Sequence, residues 1–536
     1  MNQSPEPVPS AGTLVARFLR SNNYAQTLEA FIREAGLPAD AGQIKPQSSS
    51  EEEWTIESLL EEKKAFDYSV RFERYGRGDR KNVWTQPAPS NPTIVATPAP
   101  SNLLAVSVEP WQRLSDPGTT EPPLPLYVVA TGADRQIHLR HTAAENGDVI
   151  SLSGLSDSPI LSYVSVSRGE YVFMTNMSGQ LLLLRGSEIL DKRKDHGKYV
   201  VKVVAHEQGQ EQENSERKLW IATAGWDGKI FIYCMDPFPA PAENEDCHDR
   251  AVSMTIGDPV ASITLPSNPE SILFVHHPTS GRLVLLASRR DSTYLHYFEV
   301  ELETQQEQAQ AGAQTDQGQD AWEMMQKKPY ECKLLGRQNL APHSVAWLTF
   351  SPCCLALSPH DPGIIAIATS TTPHMKIMIV RLLFPSEEEG REKFIYPAVA
   401  DDDSSPPPRI GVPSPAHISP AFSALTLQNR EDAAILIQVN TFAPQTPYST
   451  PQVVWRPDGS GLWVNGDDGV IRGVETKTGK LTVTLKNGHQ FGSKVRTLWA
   501  GWVDVPQDDG GEGTAMKREE WLVSGGFDKR LIVWRV

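Results

Sequence analysis

Four stretches of this chain repeat one short phrase. Residues 522–534 read LVSGGFDKRLIVW and residues 221–233 read IATAGWDGKIFIY. Residues 464–474 read VNGDDGVIRGV and residues 129–139 read VATGADRQIHL. In each, an apolar run meets small residues, then an Asp stands one or two positions before a second alternating run. That order reads as two strands joined by a tight turn, where Asp bonds back to its own backbone and Gly tolerates positive φ. Repetition at blade-sized intervals implies a β-propeller. A chain of 536 residues exceeds the usual single domain, but radial repeats can stack one continuous core over that length.

Seven blades of four strands, a to d from the axis outward, can be parsed. The inner a strands are expected to begin near Leu103, Ile160, Tyr199, Ser271, Cys354, Gln452 and Val495. The b–c hairpins fall at 126–140, 171–185, 218–233, 282–300, 363–383, 461–474 and 520–534. The last c strand runs to Val536, leaving blade seven short of an outer strand. A spare strand at Thr93–Thr97 precedes the first blade, so the amino-terminal strand is expected to close the ring and remove a free edge.

Composition narrows the function. A net charge of −16 argues against broad nucleic-acid or anionic-membrane affinity, because phosphate binding needs concentrated Lys and Arg. The basic clusters Lys192–Lys194 and Arg71–Lys81 read as solvated faces. The five cysteines show no Cys-x-x-Cys pair and no Cys/His ligand spacing, so no metal site is expected and a reducing compartment is. The start MNQSPEPVPS has neither the basic nor the apolar stretch of a secretory signal. The expectation is an intracellular protein of cytoplasm or nucleus, without membrane, nucleic acid, metal or cofactor.

Residues 13–35, TLVARFLRSNNYAQTLEAFIREA, read as two short helices broken at Asn22–Asn23. Helices this short have too little interior to bury their apolar stripes alone, so a second copy is the simplest cover. This stretch resembles the lissencephaly-1 homology (LisH) motif through Leu14, Val15, Phe18, Leu19, Tyr24, Thr27, Leu28, Phe31 and Glu34. It departs at Asn23, where that family commonly has Gly. The resemblance implies a four-helix homodimer, with Leu14, Phe18, Leu19, Tyr24, Leu28 and Phe31 as dimerisation residues. Residues 1–10 read as disordered, 11–37 as the helical hairpin, 51–76 as a further helix with an apolar face, and 77–92 as a linker. The propeller is expected to occupy 93–536.

The repeats also resemble the WD-repeat family, and two approach its buried tetrad. Blade seven offers His489, Ser524, Asp528 and Trp534; blade three offers His196, Thr223 and Asp227, with Tyr233 where the family has Trp. The resemblance implies that these side chains satisfy one another, which stiffens a blade. A Ser–His–Asp set also suggests a nucleophile, but the Ser/Thr sits within a strand and not on a strained turn. No catalytic residue is therefore assigned.

The long insertions near 206–217, 301–331, 384–433 and 504–518 have disorder-like composition. With 110–124 and 236–256, they all fall on connections a–b or c–d, which lie on one face of a propeller. The opposite face keeps mostly short turns, as a docked partner would require. There Trp226 and Phe527 stand just before the turn Asp as candidate anchors, with Arg135 and Lys529 as rim charges. The reading is a non-catalytic scaffold, dimerising through its helices and binding a protein on the propeller. Two alternatives stay open: a subunit of a ubiquitin ligase, although the Trp-Asp-x-Arg adaptor motif is missing at Trp534–Arg535, and an enzyme with a channel active site.

Overall fold

The computed structural model describes residues 11–43, 56, 83–98, 100–112, 125–143, 149–209, 218–235, 254–300, 329–342, 350–385, 428–507 and 515–536. Two compact units result, Met1–Asp79 and Arg80–Val536. Segments 1–10 and 51–76 lie outside the described residues, apart from residue 56, as does most of 206–217, 236–256, 301–331 and 384–433.

In the first unit, α1 (Ala11–Ser21) and α2 (Ala25–Glu34) form a hairpin. Asn23 turns the chain at φ 58°, a left-handed conformation that Asn tolerates better than other side-chain-bearing residues. Ala16, Leu28 and Ala41 are buried together, packed by Leu19, Phe31, Ile32 and Leu37. Residues 37–43 fold back on α1, where the Arg20 guanidinium donates to the carbonyls of Ala39 and Ala41. Leu28 is thus spent on the hairpin's own core. Leu14, Val15 and Phe18 lie outside that cluster and are half-buried.

The second unit is a ring of seven sheets. The inner strands are Leu103–Pro110, Ile160–Val166, Val200–Gln208, Pro269–His276, Pro352–Leu357, Val453–Trp455 and Val495–Gln507. A separate apolar cluster fills each of the seven junctions between neighbouring blades. Hydroxyls stitch three junctions at the axis. Ser162 accepts the amide of Val203 at 3.2 Å, Ser271 that of Leu355 at 3.3 Å, and Thr497 that of Val106 at 3.2 Å. Each bond satisfies a buried backbone donor that the edge of an inner strand leaves over.

Blade seven closes the circle. Asn91–Val95 pairs antiparallel with Leu531–Arg535, from Asn91 opposite Arg535 to Val95 opposite Leu531. The closing strand is therefore two residues earlier than Thr93–Thr97.

Three expectations need correction. The supposed linker 77–92 is packed from residue 83 onward: Trp84 and Ala88 are buried in the core between blades six and seven. Within 504–518, residues 504–507 and 515–518 pair as a β-ribbon, with Asp504 opposite Arg518 and Gln507 opposite Ala515. Tyr330–Glu331, inside the supposed insertion 301–331, pairs parallel with Ala261–Thr264 as a fifth strand of blade three. Short polar composition hides all three: Trp84 and Tyr330–Glu331 are held by contacts distant in sequence, and the ribbon by its own backbone pairing. The ends of 206–217 and 384–433 are likewise ordered: Gln208 pairs with Lys218, and residues 428–434 are helical.

Candidate functional site at the turn face

Successive strands of a blade run antiparallel, so b–c and d–a connections emerge on one face and a–b and c–d on the other. A polar tetrad in blade seven and a related triad in blade three stiffen the first, turn-bearing face. In blade seven the His489 Nδ1 lies 3.0 Å from the Asp528 carboxylate, and its Nε2 lies 2.9 Å from Ser524 Oγ. A carboxylate only accepts, so Nδ1 carries the proton and Nε2 accepts from the serine. The Trp534 indole donates to the same Ser524 oxygen at 2.9 Å. Blade three repeats this with His196 between Asp227 and Thr223, both at 3.0 Å. Tyr233, expected in the place of the Trp, donates instead to Asp195 at 2.9 Å, so blade three holds a His–Thr–Asp triad where blade seven holds a tetrad.

Ser524 and Thr223 are fully buried, and each is engaged by an imidazole. Burial alone would raise the Asp227 carboxyl. The His196 imidazole and the amides of Gly197 and Lys229 outweigh it and hold the group at about 2. Burial opposes ionisation of Asp528 in the same way, and its bonds to His489 and to the amides of Gln490 and Arg530 again win. Among the described residues, no three His, Cys, Asp or Glu side chains gather to hold a metal ion, and no helix is long and apolar enough to cross a membrane.

The candidate anchors differ in exposure. Phe527 is 39% exposed, and its amide donates to the carbonyl of Lys494. Trp226 is only half-exposed at most. Tyr199 lies over it at 5.7 Å and the Arg290 guanidinium at 5.1 Å. Arg135 and Lys529 occupy equivalent turn positions at φ 68° and 66°, and both side chains are exposed. The structure brings Phe527 and Lys529 into one turn, and Trp226 and Arg135 into the matching turns of blades three and one.

Two more aromatic side chains dominate this face. Phe491, in the connection into blade seven, is 93% exposed, and Tyr448, in the connection into blade six, is 88% exposed. Lys494 stands between them, reaching Asp467 at 3.0 Å and the Thr446 hydroxyl at 3.2 Å. A signal existed for both: each is a lone aromatic inside a run of turn residues, QTPYSTP and HQFGSK. No strand or helix face could account for them there.

Family models agree with this architecture. A sequence model of a LisH domain matches residues 12–41, and a β-propeller-domain model of the same family matches residues 351–502. The chain carries an N-terminal LisH domain and a β-propeller domain. No curated protein matches the sequence. Among solved structures, the crystal structure of Saccharomyces cerevisiae Sqt1 is similar at a TM-score of 0.44 and 12% identity, over 84% of this chain and 100% of that one. LisH helices joined to a propeller make a combination suited to protein interaction.

Proposed function

We propose that this protein is a non-catalytic scaffold that pairs through its LisH helices and holds a protein partner on the turn face of its propeller. The observation that carries the partner site is the set of exposed aromatics there, Phe491, Tyr448 and Phe527, on a rim stiffened by the buried polar sets of blades three and seven. Large, rigid apolar side chains dominate the energy of protein interfaces, and a rigid platform loses little entropy on docking. Leu14 and Phe18, left half-buried by the hairpin, support pairing with a second copy. The burial of Ser524 and Thr223 supports a non-catalytic reading.

Crosslinking mass spectrometry on the partner-bound full chain tests this. Crosslinks should concentrate on Lys198, Lys229, Lys494 and Lys529 of the turn face. Crosslinks concentrated on Lys333, Lys480 and Lys517 would place the partner on the opposite face and contradict the proposal.

A further inference from the structure

Six of the seven inner strands share one irregularity. Near its start, each skips a residue in its pairing with the second strand: Leu104, Leu161, Val201, Glu270, Cys353 and Arg496. A residue squeezed out of a ladder re-aims its side chain. Here that happens on the strand bordering the central channel, at its turn-face end, and all six residues are half-buried. They form a ring at the channel mouth. Blades one to three contribute aliphatic groups, and blades four, five and seven contribute a carboxylate, a thiol and a guanidinium.

The polar sector is incompletely satisfied. Arg290 Nε donates to Glu270 at 2.6 Å, and the same guanidinium covers Trp226. Glu270 is thereby taken, with the charge of Asp291 also close by. Arg496 makes no hydrogen bond among the described residues and feels Glu270 only through its charge. Burial lowers its affinity for a proton to a pKa of about 10, and Glu270 offsets only part of that. The buried indole N–H of Trp226 has no acceptor either. The Trp226 donor, buried and unpaired, is costly until a ligand supplies the acceptor, while the half-buried Arg496 guanidinium is left to pair with a ligand's charge.

Charges around the mouth point the same way. Lys198, Lys229 and Lys529 are exposed without an ion-pair partner among the described residues. The turn aspartates Asp227 and Asp528, by contrast, face inward onto histidines and amides. This contrasts with a chain whose net charge is −16.

Resting on the turn-face reading above, we propose that the channel mouth is a pocket for an acidic segment of the protein partner. An aliphatic side chain of that segment seats on Leu104, Leu161 and Val201, and a neighbouring carboxylate bonds to Arg496.

The test pans a phage-displayed library of random dodecapeptides against the full-length protein, then measures affinities of the enriched sequences as synthetic peptides. Enriched peptides should place Asp or Glu beside Leu, Ile or Val. Arg496→Gln should weaken them about tenfold or more, the range expected for a hydrogen bond to a charged group. Arg496→Lys, which keeps the charge, should lose less and guards against a variant that fails to fold. Replacing the peptide's acid by its amide should mimic Arg496→Gln and should leave that variant with nothing further to lose. Absence of enrichment, enrichment of neutral or basic peptides, or undiminished binding to Arg496→Gln overturns the pocket. If Phe491→Ala with Phe527→Ala abolishes partner binding while Arg496→Gln keeps it, the pocket is wrong and the turn face stands. If all these variants keep the partner, the turn face itself is wrong.

Discussion

The guanidinium of Arg456 lies 4.5 Å over the indole ring of Trp84, joining the segment ahead of the propeller to blade six. Around this pair the fit is close. Trp84 meets Trp463 edge to face at 5.0 Å, and Gly461 and Gly473 leave room for it, since a Cβ at either would stand 2.4 Å from the ring. Arg456 also bonds Glu520 of blade seven at 2.6 and 2.9 Å and the carbonyl of Thr85 at 2.9 Å, while the Thr85 hydroxyl donates to Asp458. Trp84 is therefore a core residue of the last two blades.

Replacing Trp84 with Ala should cost about 3–5 kcal/mol, the usual range for emptying a large buried aromatic site. The same geometry predicts where truncation becomes harmful. A chain starting at residue 83 should melt like the intact propeller. A chain starting at residue 89 should melt distinctly lower, and one starting at residue 96, which also lacks the closing strand, lower still. Denaturant titration of the three chains checks the order.

The buried His–Asp pairs set an acid limit. Asp227 titrates at about 2 in the folded protein, against an ordinary value near 3.9. Its contribution to stability is therefore complete above about pH 4 and is lost as pH falls through about 2. Asp227→Asn should cost about 1–3 kcal/mol at neutral pH, with the gap from wild type closing between about pH 4 and 2. Asp528→Ala should cost a similar amount, and partner binding should fall only with the folded fraction.

A second pH effect lies higher and has the opposite origin. Burial, then the charge of His276, holds His206 down to about 4; burial, then Arg289 and Arg337, does the same for His296. Both are neutral when folded but protonate near 6.5 when unfolded, so stability declines as pH falls from about 6.5 to 4 and then levels. For His296 the loss is roughly 3 kcal/mol. His296→Gln should reduce the pH dependence of the denaturation midpoint over that interval, leaving the share of His206, and unchanged pH dependence would refute the assignment.

Pairing through α1 should depend on the residues that the hairpin leaves uncovered. Phe18→Ala or Leu14→Glu in the full chain should shift sedimentation from dimer to monomer at micromolar concentration. Leu28→Ala should instead unfold the hairpin, because Leu28 sits in its own core. A monomeric wild-type chain would refute pairing.

Much of the ring was legible because its information is local: the turn Asp, the alternating runs and the tetrad residues recur at fixed offsets. The closing strand could be inferred from blade seven's missing partner. Trp84 could not, since a Val–Trp pair in a polar stretch has no periodicity and the Trp socket is made by Gly461, Gly473 and Trp463, hundreds of positions away. The channel-mouth ring was hidden for a related reason. Glu270 and Arg496 share a site only because each inner strand skips one residue, and a skipped residue leaves no mark on an apolar pattern. Trp226 had the right position for an anchor, but Tyr199 and Arg290 partly cover it.

The central claim is that the partner sits on the turn face, and partner affinity across three full-length variants tests it most directly. Phe491→Ala and Phe527→Ala should each lose about 2 kcal/mol or more of binding with little change in melting temperature. A variant with 307–320 and 401–413 shortened should bind like wild type. Loss of the partner in the shortened variant, with both aromatic variants retaining it, would contradict the account.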